Sequence, residues 1–128
     1  MDMKDYFENT QGIGILATAD SAGKVDVAIY ARPHFMDDDT VAFIMRDRLS
    51  HKNLQSNSQA AYMFIEIGPG YKGKRLYLQK VREDKNSDLI EKIQRKTRNS
   101  FSDTEDRFLV YFRIKHTRPL VGDTSDVT

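Results

Sequence analysis

Apolar residues in this chain come in short runs with alternating sides, each cut off by turn-forming residues before it reaches helix length. No other feature restricts the fold as much. In "VDVAIYARP" (residues 25–33), Val25, Val27, Ile29 and Ala31 share one face while Asp26, Ala28, Tyr30 and Arg32 share the other, the period-two signature of a strand with unlike sides. Upstream, "GIGILATAD" is a strand and "SAGK" a turn whose Gly23 can take the positive φ of a tight hairpin. Downstream, the triple "DDD" marks a second turn before "TVAFIMRD", in which Val41, Phe43 and Met45 oppose Ala42, Ile44 and Arg46. "QAAYMFIEI" is apolar on both faces and suits a central strand, "KRLYLQKVRED" is a fifth strand, and "RFLVYFRIKHTRPL" a sixth.

Helical periodicity is confined to three places. Residues 3–10 give a short amphipathic helix anchored by Tyr6 and Phe7. A helical turn is expected over residues 50–57, with the Ser50 hydroxyl as its N-cap. The clearest helix starts near Asn86 or Ser87, where Leu89, Ile90, Ile93, Thr97 and Phe101 recur at three- and four-residue spacing, acids early and bases late. Six short strands with helices at these positions predict a mainly β fold, a small antiparallel barrel with peripheral helices. A chain of 128 residues suits a single domain spanning 1–128, with residues 121–128 as a flexible tail.

Composition narrows the chemistry. Lys plus Arg (20) nearly cancels Asp plus Glu (19), so anion affinity must come from local placement and not from a global field. The absence of cysteine removes disulfides, thiolate catalysis and sulfur-ligated metal centres. The polar, acidic "MDMKDYFENT" is unlike a secretory signal, and no run approaches membrane-spanning length. A soluble cytoplasmic protein without membrane partners is expected.

The segment "MRDRLSHKNLQSN" (residues 45–57) draws most attention. Arg46, Arg48 and Lys52 bring positive charge, Ser50 a hydroxyl, and the start of a short helix brings unpaired N–H groups, a combination suited to a phosphate monoester. The alternative is a solvated turn with a few charges. If the strands carrying Tyr30 and Ile44 pair, then Ala28, Tyr30 and Arg32 lie beside Ala42, Ile44 and Arg46 as a shelf for a flat ring ending in phosphate; otherwise they form a half-exposed or dimer-facing surface. His34, His51 and His116 lack metal-ligand spacing, and Asp37 to Asp39 are explained by a turn, so no metal is expected. "GIG" and "GPGYKGK" fit neither the dinucleotide fingerprint nor a Walker loop. The basic "KIQRKTR" is balanced by Asp88, Glu91 and "SDTED", so nucleic acid is not an expected partner.

"GIGILATADSAGKVDVAIYARPHF" followed by "VAFIMRDRLSHKNLQSNSQAAYMFIE" resembles the pyridoxamine 5′-phosphate oxidase-like family of FMN-binding split barrels. The shared pattern is an apolar strand ending in Ala-Thr, a small-residue turn, a second strand lining the flavin, and a third leading into a Ser/Lys/Arg-rich turn. "Asn-Leu, two residues, Asn" and a buried strand complete it. The resemblance implies a six-stranded antiparallel split barrel whose homodimer holds FMN at the subunit interface, with the phosphate on the turn after the third strand. Arg48 and Ser50 match its phosphate ligands best, Arg46 and Lys52 next, with Asn53 as a supporting helix residue. Ala28, Ile29 and Tyr30 match the segment along the isoalloxazine, and Ile44 and Met45 its third-strand counterpart.

The activity implied is that of a flavin-dependent oxidoreductase of an unknown small substrate. Nothing in the chain matches the basic C-terminal substrate motif of the genuine oxidase, so oxidation of pyridoxamine phosphate is not expected. A non-catalytic flavin-binding or protein-association barrel is the alternative, and an oligonucleotide-binding barrel a more distant one. No catalytic acid or base can be nominated.

Overall fold

The computed structural model describes residues 2–97 and 105–122. The chain runs α1 (Met3–Asn9), β1 (Gly12–Ala19), β2 (Val25–Tyr30), β3 (His34–Phe35), β4 (Thr40–Arg46), α2 (Leu49–Ser56), β5 (Gln59–Glu66), β6 (Gly73–Lys85), α3 (Asp88–Thr97) and β7 (Arg107–Pro119). The six expected strands are present, and the count is corrected to seven by the two-residue β3, which folds back on β4 across the "DDD" turn. In that turn Asp37 Oδ1 accepts from the backbone N–H groups of Asp39 and Thr40, the Asx geometry that favours aspartate there. Phe101 and residues 123–128 of the expected tail lie outside the described residues.

All seven strands form one antiparallel sheet in the order β2-β1-β5-β6-β7-β4-β3. β6 and β7 are long enough to serve both halves. β6 pairs with β5 through its first part and with β7 along its whole length. Register shifts at Tyr77/Leu78 and Lys80/Arg82 bend this ribbon and let the sheet curl. The curl does not close by hydrogen bonding, because β2 and β3 are the two edges of the sheet. The condition that β2 and β4 pair is not met: the two strands are not neighbours in the hydrogen-bonded order and face each other across an open seam. There the Tyr30 ring of β2 stands edge-on to Phe43 of β4 with centroids 6.0 Å apart; inside the barrel the Tyr62 hydroxyl of β5 donates to Ala31 O, just after β2, at 3.2 Å.

Alternation decides which side of each strand is inside. Leu16, Val41, Phe43, Met45, Tyr62, Phe64, Leu76, Leu78, Val110 and Phe112 fill the barrel, none more than 2% exposed. Helix α1 plugs one end: Phe7 is buried against Phe64 and Phe35, and Arg32 Nη1 donates to the carbonyls of Phe7 and Glu8. These are the last carbonyls of a helix, which have no intrahelical donor, and a cation there also suits the helix dipole. The opposite face of β4 and β7 carries Ala42, Leu109 and Tyr111, which pack with Ile90 of α3 and, at the margin, Ile44, Leu89 and Ile93.

Among the described residues, none gives the outer face of β1, β2 and β5 such a cover. Register aligns Val25, Val27 and Ile29 with Ala19, Ala17 and Ile15, and these with Ala61 and Met63. Val25, Val27 and Ile29 are 76%, 68% and 80% exposed. Isolated apolar residues on a surface are ordinary, but a contiguous apolar sheet face across three strands marks a site of association.

Candidate functional site

The seam between β2 and β4 opens into two hollows that share Tyr30, Ala31, Ile44 and Arg46. One, of about 420 Å³, is also lined by Asp26, Ala28, Ile29, Arg48, Leu49 and Ser50. The other, of about 560 Å³, continues past Gly12, Gly14 and Phe64 to Arg32, His34, Gln94 and Arg107. Together they make one cleft with a cationic end at the start of α2, small and aromatic walls in the middle, and a polar far end.

The cationic end follows from the order of residues after β4. Arg46 is the last residue of the strand and Arg48 the N-cap of α2, its backbone extended and its side chain free of any capping role. Ser50 was expected as the cap; it is instead the second helical residue, 4% exposed, with its hydroxyl hydrogen-bonded to Tyr30. The helix starts early because Arg48 already takes the extended conformation an N-cap needs, leaving early helix N–H groups of α2 unpaired beside two guanidinium groups. Arg46 Nη1 lies 2.8 Å from Glu105 Oε2, and Arg48 Nη2 lies 2.8 Å from Glu105 Oε1. The Arg48 hydrogen bond, assisted by Arg46, holds the Glu105 carboxyl below the ordinary glutamate range despite some desolvation.

Tyr30 joins the two hollows. Burial raises its phenol above the ordinary range, the Ser50 hydrogen bond partly offsets this and the Asp26 carboxylate adds to it, so the ring is a neutral donor at pH 7. At the far end, burial and then the charge of Arg32 depress the His34 imidazole, and that ring too is neutral at pH 7.

Of the residues singled out in the sequence, Ala28, Ile29, Tyr30, Ile44, Arg46, Arg48 and Ser50 line this one cleft. Met45 points to the barrel interior, 1% exposed. Lys52 is an exposed residue further along α2. Asn53 is buried, its Nδ2 donating to Thr18 Oγ1 at 3.0 Å, and so ties α2 to β1. Arg32 belongs to the α1 cap as much as to the cleft. Asp26 and Glu105 were not singled out: Asp26 shares the Ala28/Tyr30 face and could have been read from the alternation, whereas Glu105 carries no local signal.

A buried polar network fixes α2 against β6. The His51 ring stacks on Phe108 with centroids 3.9 Å apart, its Nδ1 is 3.0 Å from Asp47 Oδ1, and its Nε2 is 2.9 Å from Glu83 Oε2. Lys80 Nζ and Gln55 Nε2 also donate to Glu83. Partial burial pushes the Glu83 carboxyl up, but the hydrogen bonds from Lys80, Gln55 and His51 outweigh it and hold the group at about 2, against an ordinary 4.5. A depressed carboxyl contributes stability that is fully present above its unfolded pKa and disappears as the pH falls through the folded value. Acid unfolding is therefore expected to steepen as pH drops from about 4.5 towards about 2. Denaturant melts across that window should show Glu83→Gln flattening the profile; parallel profiles would remove Glu83 from the linkage.

No family model matches the sequence, and no curated protein matches it significantly. Solved structures do. An FMN-binding protein from Syntrophomonas wolfei subsp. wolfei superposes with a TM-score of 0.74 at 16% identity, covering 92% of this chain and 83% of that one. HupZ of Group A Streptococcus gives 0.73 at 15% identity, covering 98% and 96%. A protein provisionally assigned as a pyridoxamine 5′-phosphate oxidase, from Lactobacillus delbrueckii, gives 0.66 at 17%, covering 89% and 88%. The chain thus has the split-barrel fold of the flavin-binding, pyridoxamine 5′-phosphate oxidase-like proteins, as the sequence resemblance implied. Among the described residues no helix is long and apolar enough to cross a membrane.

Proposed function

We propose that this protein is a homodimeric FMN-binding oxidoreductase of a small substrate, with the cofactor in the seam cleft and the second copy seated on the bare face of β1, β2 and β5. The observation that carries the reading is the convergence of two guanidinium groups, a buried hydroxyl and a helix start at one end of a cleft whose middle is lined by Ala28, Tyr30 and Ile44. That donor set fits a phosphate monoester, and the small and aromatic walls fit a planar ring. The dimer is supported by Ile29, 80% exposed, which belongs both to the apolar face and to the wall of the cleft. A partner on that face would complete the pocket and exclude water from it.

When bound, FMN supplies the hydride chemistry, and the protein contributes position and electrostatics. Arg46 and Arg48 would hold the phosphate by their planar donor edges, and Ser50 and the backbone N–H groups of α2 would complete its shell. The neutral Tyr30 phenol offers a donor at the junction of the hollows, and the far end, with His34, Gln94 and Arg107, leaves room for a substrate beside the ring.

The visible spectrum of freshly purified protein, followed by addition of NADH or NADPH, tests the reading. A flavin band that bleaches supports a reductase, a band that persists supports a carrier, and a colourless protein that ignores added FMN overturns both. Removing Arg48 and Ser50 together (Arg48→Ala with Ser50→Ala) is expected to weaken FMN binding roughly 10- to 100-fold, from the loss of charge-assisted hydrogen bonds. Riboflavin affinity should stay unchanged in the same titration. Equal loss for both flavins would mean that these residues do not hold the phosphate.

A further inference from the structure

On the reading above, the phosphate of FMN docks on Arg46 and Arg48, yet both guanidinium groups already close on one carboxylate. Glu105 bridges them, one oxygen 2.8 Å from Arg46 Nη1 and the other 2.8 Å from Arg48 Nη2. The shape of this contact is that of a phosphate docked on paired arginines: Oε1 accepts from Arg48, and Oε2 from Arg46 and, at 3.1 Å, from Arg48 as well. We propose that Glu105 is a built-in competitor for the cofactor's phosphate and thereby sets how strongly the site distinguishes a phosphorylated flavin from an unphosphorylated one; the proposal rests on that assignment of the phosphate.

Three observations give the contact this role. First, Glu105 is recruited from far along the chain, two residues before β7, and does not belong to the strand-to-helix turn that supplies the arginines. Second, its side chain is 45% exposed, so it can turn into water without leaving a buried charge behind, and Arg48, at 63%, can follow an incoming ligand. Arg46, at 22%, is the more enclosed partner. Third, Asp26 lines the same hollow as the two arginines, so a dianionic phosphate that entered with Glu105 still in place would be repelled by two carboxylates. Exchange of one anion for the other resolves this. The Glu105 contact then lowers the apparent affinity for any ligand that needs the arginines and leaves untouched one that does not.

The opposite role would be that Glu105 holds the arginines in position for the phosphate. The two roles predict opposite signs for Glu105→Gln, which removes the charge and keeps the shape. Full-length wild type and E105Q, each first shown to have the same melting temperature, would be titrated with FMN and with riboflavin by quenching of flavin fluorescence. Competition predicts that E105Q binds FMN about three- to tenfold more tightly, the scale of one or two exposed ion pairs, with riboflavin unchanged. If FMN affinity is unchanged or weaker in E105Q while wild type still prefers FMN to riboflavin, the competitor role is overturned and the phosphate assignment stands. If wild type does not distinguish the two flavins, the phosphate assignment fails and takes the competitor role with it.

Discussion

Replacing Val27 with aspartate is expected to turn the proposed dimer into a monomer and to abolish the proposed flavin binding. Val27 is central in β2, the edge strand of the bare sheet face, with Ala17 directly across on β1 and Ala61 across from that on β5. With 68% of its surface exposed in the isolated chain, Val27→Asp should cost the subunit's own fold no more than about 1 kcal/mol. Against a second copy the same carboxylate would be taken out of water without a partner, a penalty of several kcal/mol per ion even after relaxation. Two-fold symmetry applies it twice. Sedimentation or light scattering should therefore show the mass of two chains for wild type and one for Val27→Asp, at similar melting temperatures once flavin is removed. A wild type that runs as a monomer at high concentration would refute the shared interface, and the enclosed cleft with it.

The second large effect is expected at Gly14, where an added methyl group has nowhere to go. A Cβ on this residue would fall 1.9 Å from the Tyr62 hydroxyl oxygen and 2.5 Å from the backbone oxygen of Tyr30. The phenol can swing aside only by losing its bond to Ala31 O. The Tyr30 carbonyl belongs to the strand paired with Gly14 and cannot move without opening the β1/β2 ladder. Gly14→Ala is thus expected to destabilise the fold by about 3 kcal/mol or more, at or beyond the usual range for an overfilled core. The melting temperature should fall by roughly 10 °C or more. Adding Tyr62→Phe to Gly14→Ala should restore little, because the ring carbon Cζ stays 2.5 Å from the added Cβ and the Tyr30 carbonyl is untouched. A single-variant change below about 1 kcal/mol would show that β1 and β2 can separate at this point.

Both predictions depend on knowing which way each residue faces, and that much was legible in the sequence. The alternation in "VDVAIY" and "TVAFIMR" put Val27 opposite Tyr30, and Phe43 opposite Ile44, because a strand with unlike surroundings must sort its residues by parity. The same rule placed Met45 with Val41 and Phe43; its side chain lies in the core, where parity and not the family likeness would have put it. Parity cannot reveal which strands become neighbours. The β1/β2 hairpin is local and readable from "SAGK", where Asp20 Oδ1 accepts from Ala22 N and Lys24 N and Gly23 takes φ +84. The approach of β2 to β4 from opposite ends of the sheet order is a product of how β6 and β7 bend. Glu105 was invisible for the same reason: its partners lie 57 and 59 residues away, and charge alone does not say which of nineteen acids will meet which of twenty bases. Asn53 reads as a helix residue near the phosphate site, and only the packed structure shows its amide spent on Thr18.

The seam has a mechanical meaning as well. A cylinder whose wall is left unlaced along one side resists springing open only as far as the contacts across the gap hold, Tyr30 on Phe43 among them. A guest lodged between β2 and β4 grips both free margins at once, like a lace drawn through eyelets, and every increment of its affinity becomes resistance to heat through mass action. Thermal shift in the presence of small molecules is accordingly a direct way to ask this molecule what it holds.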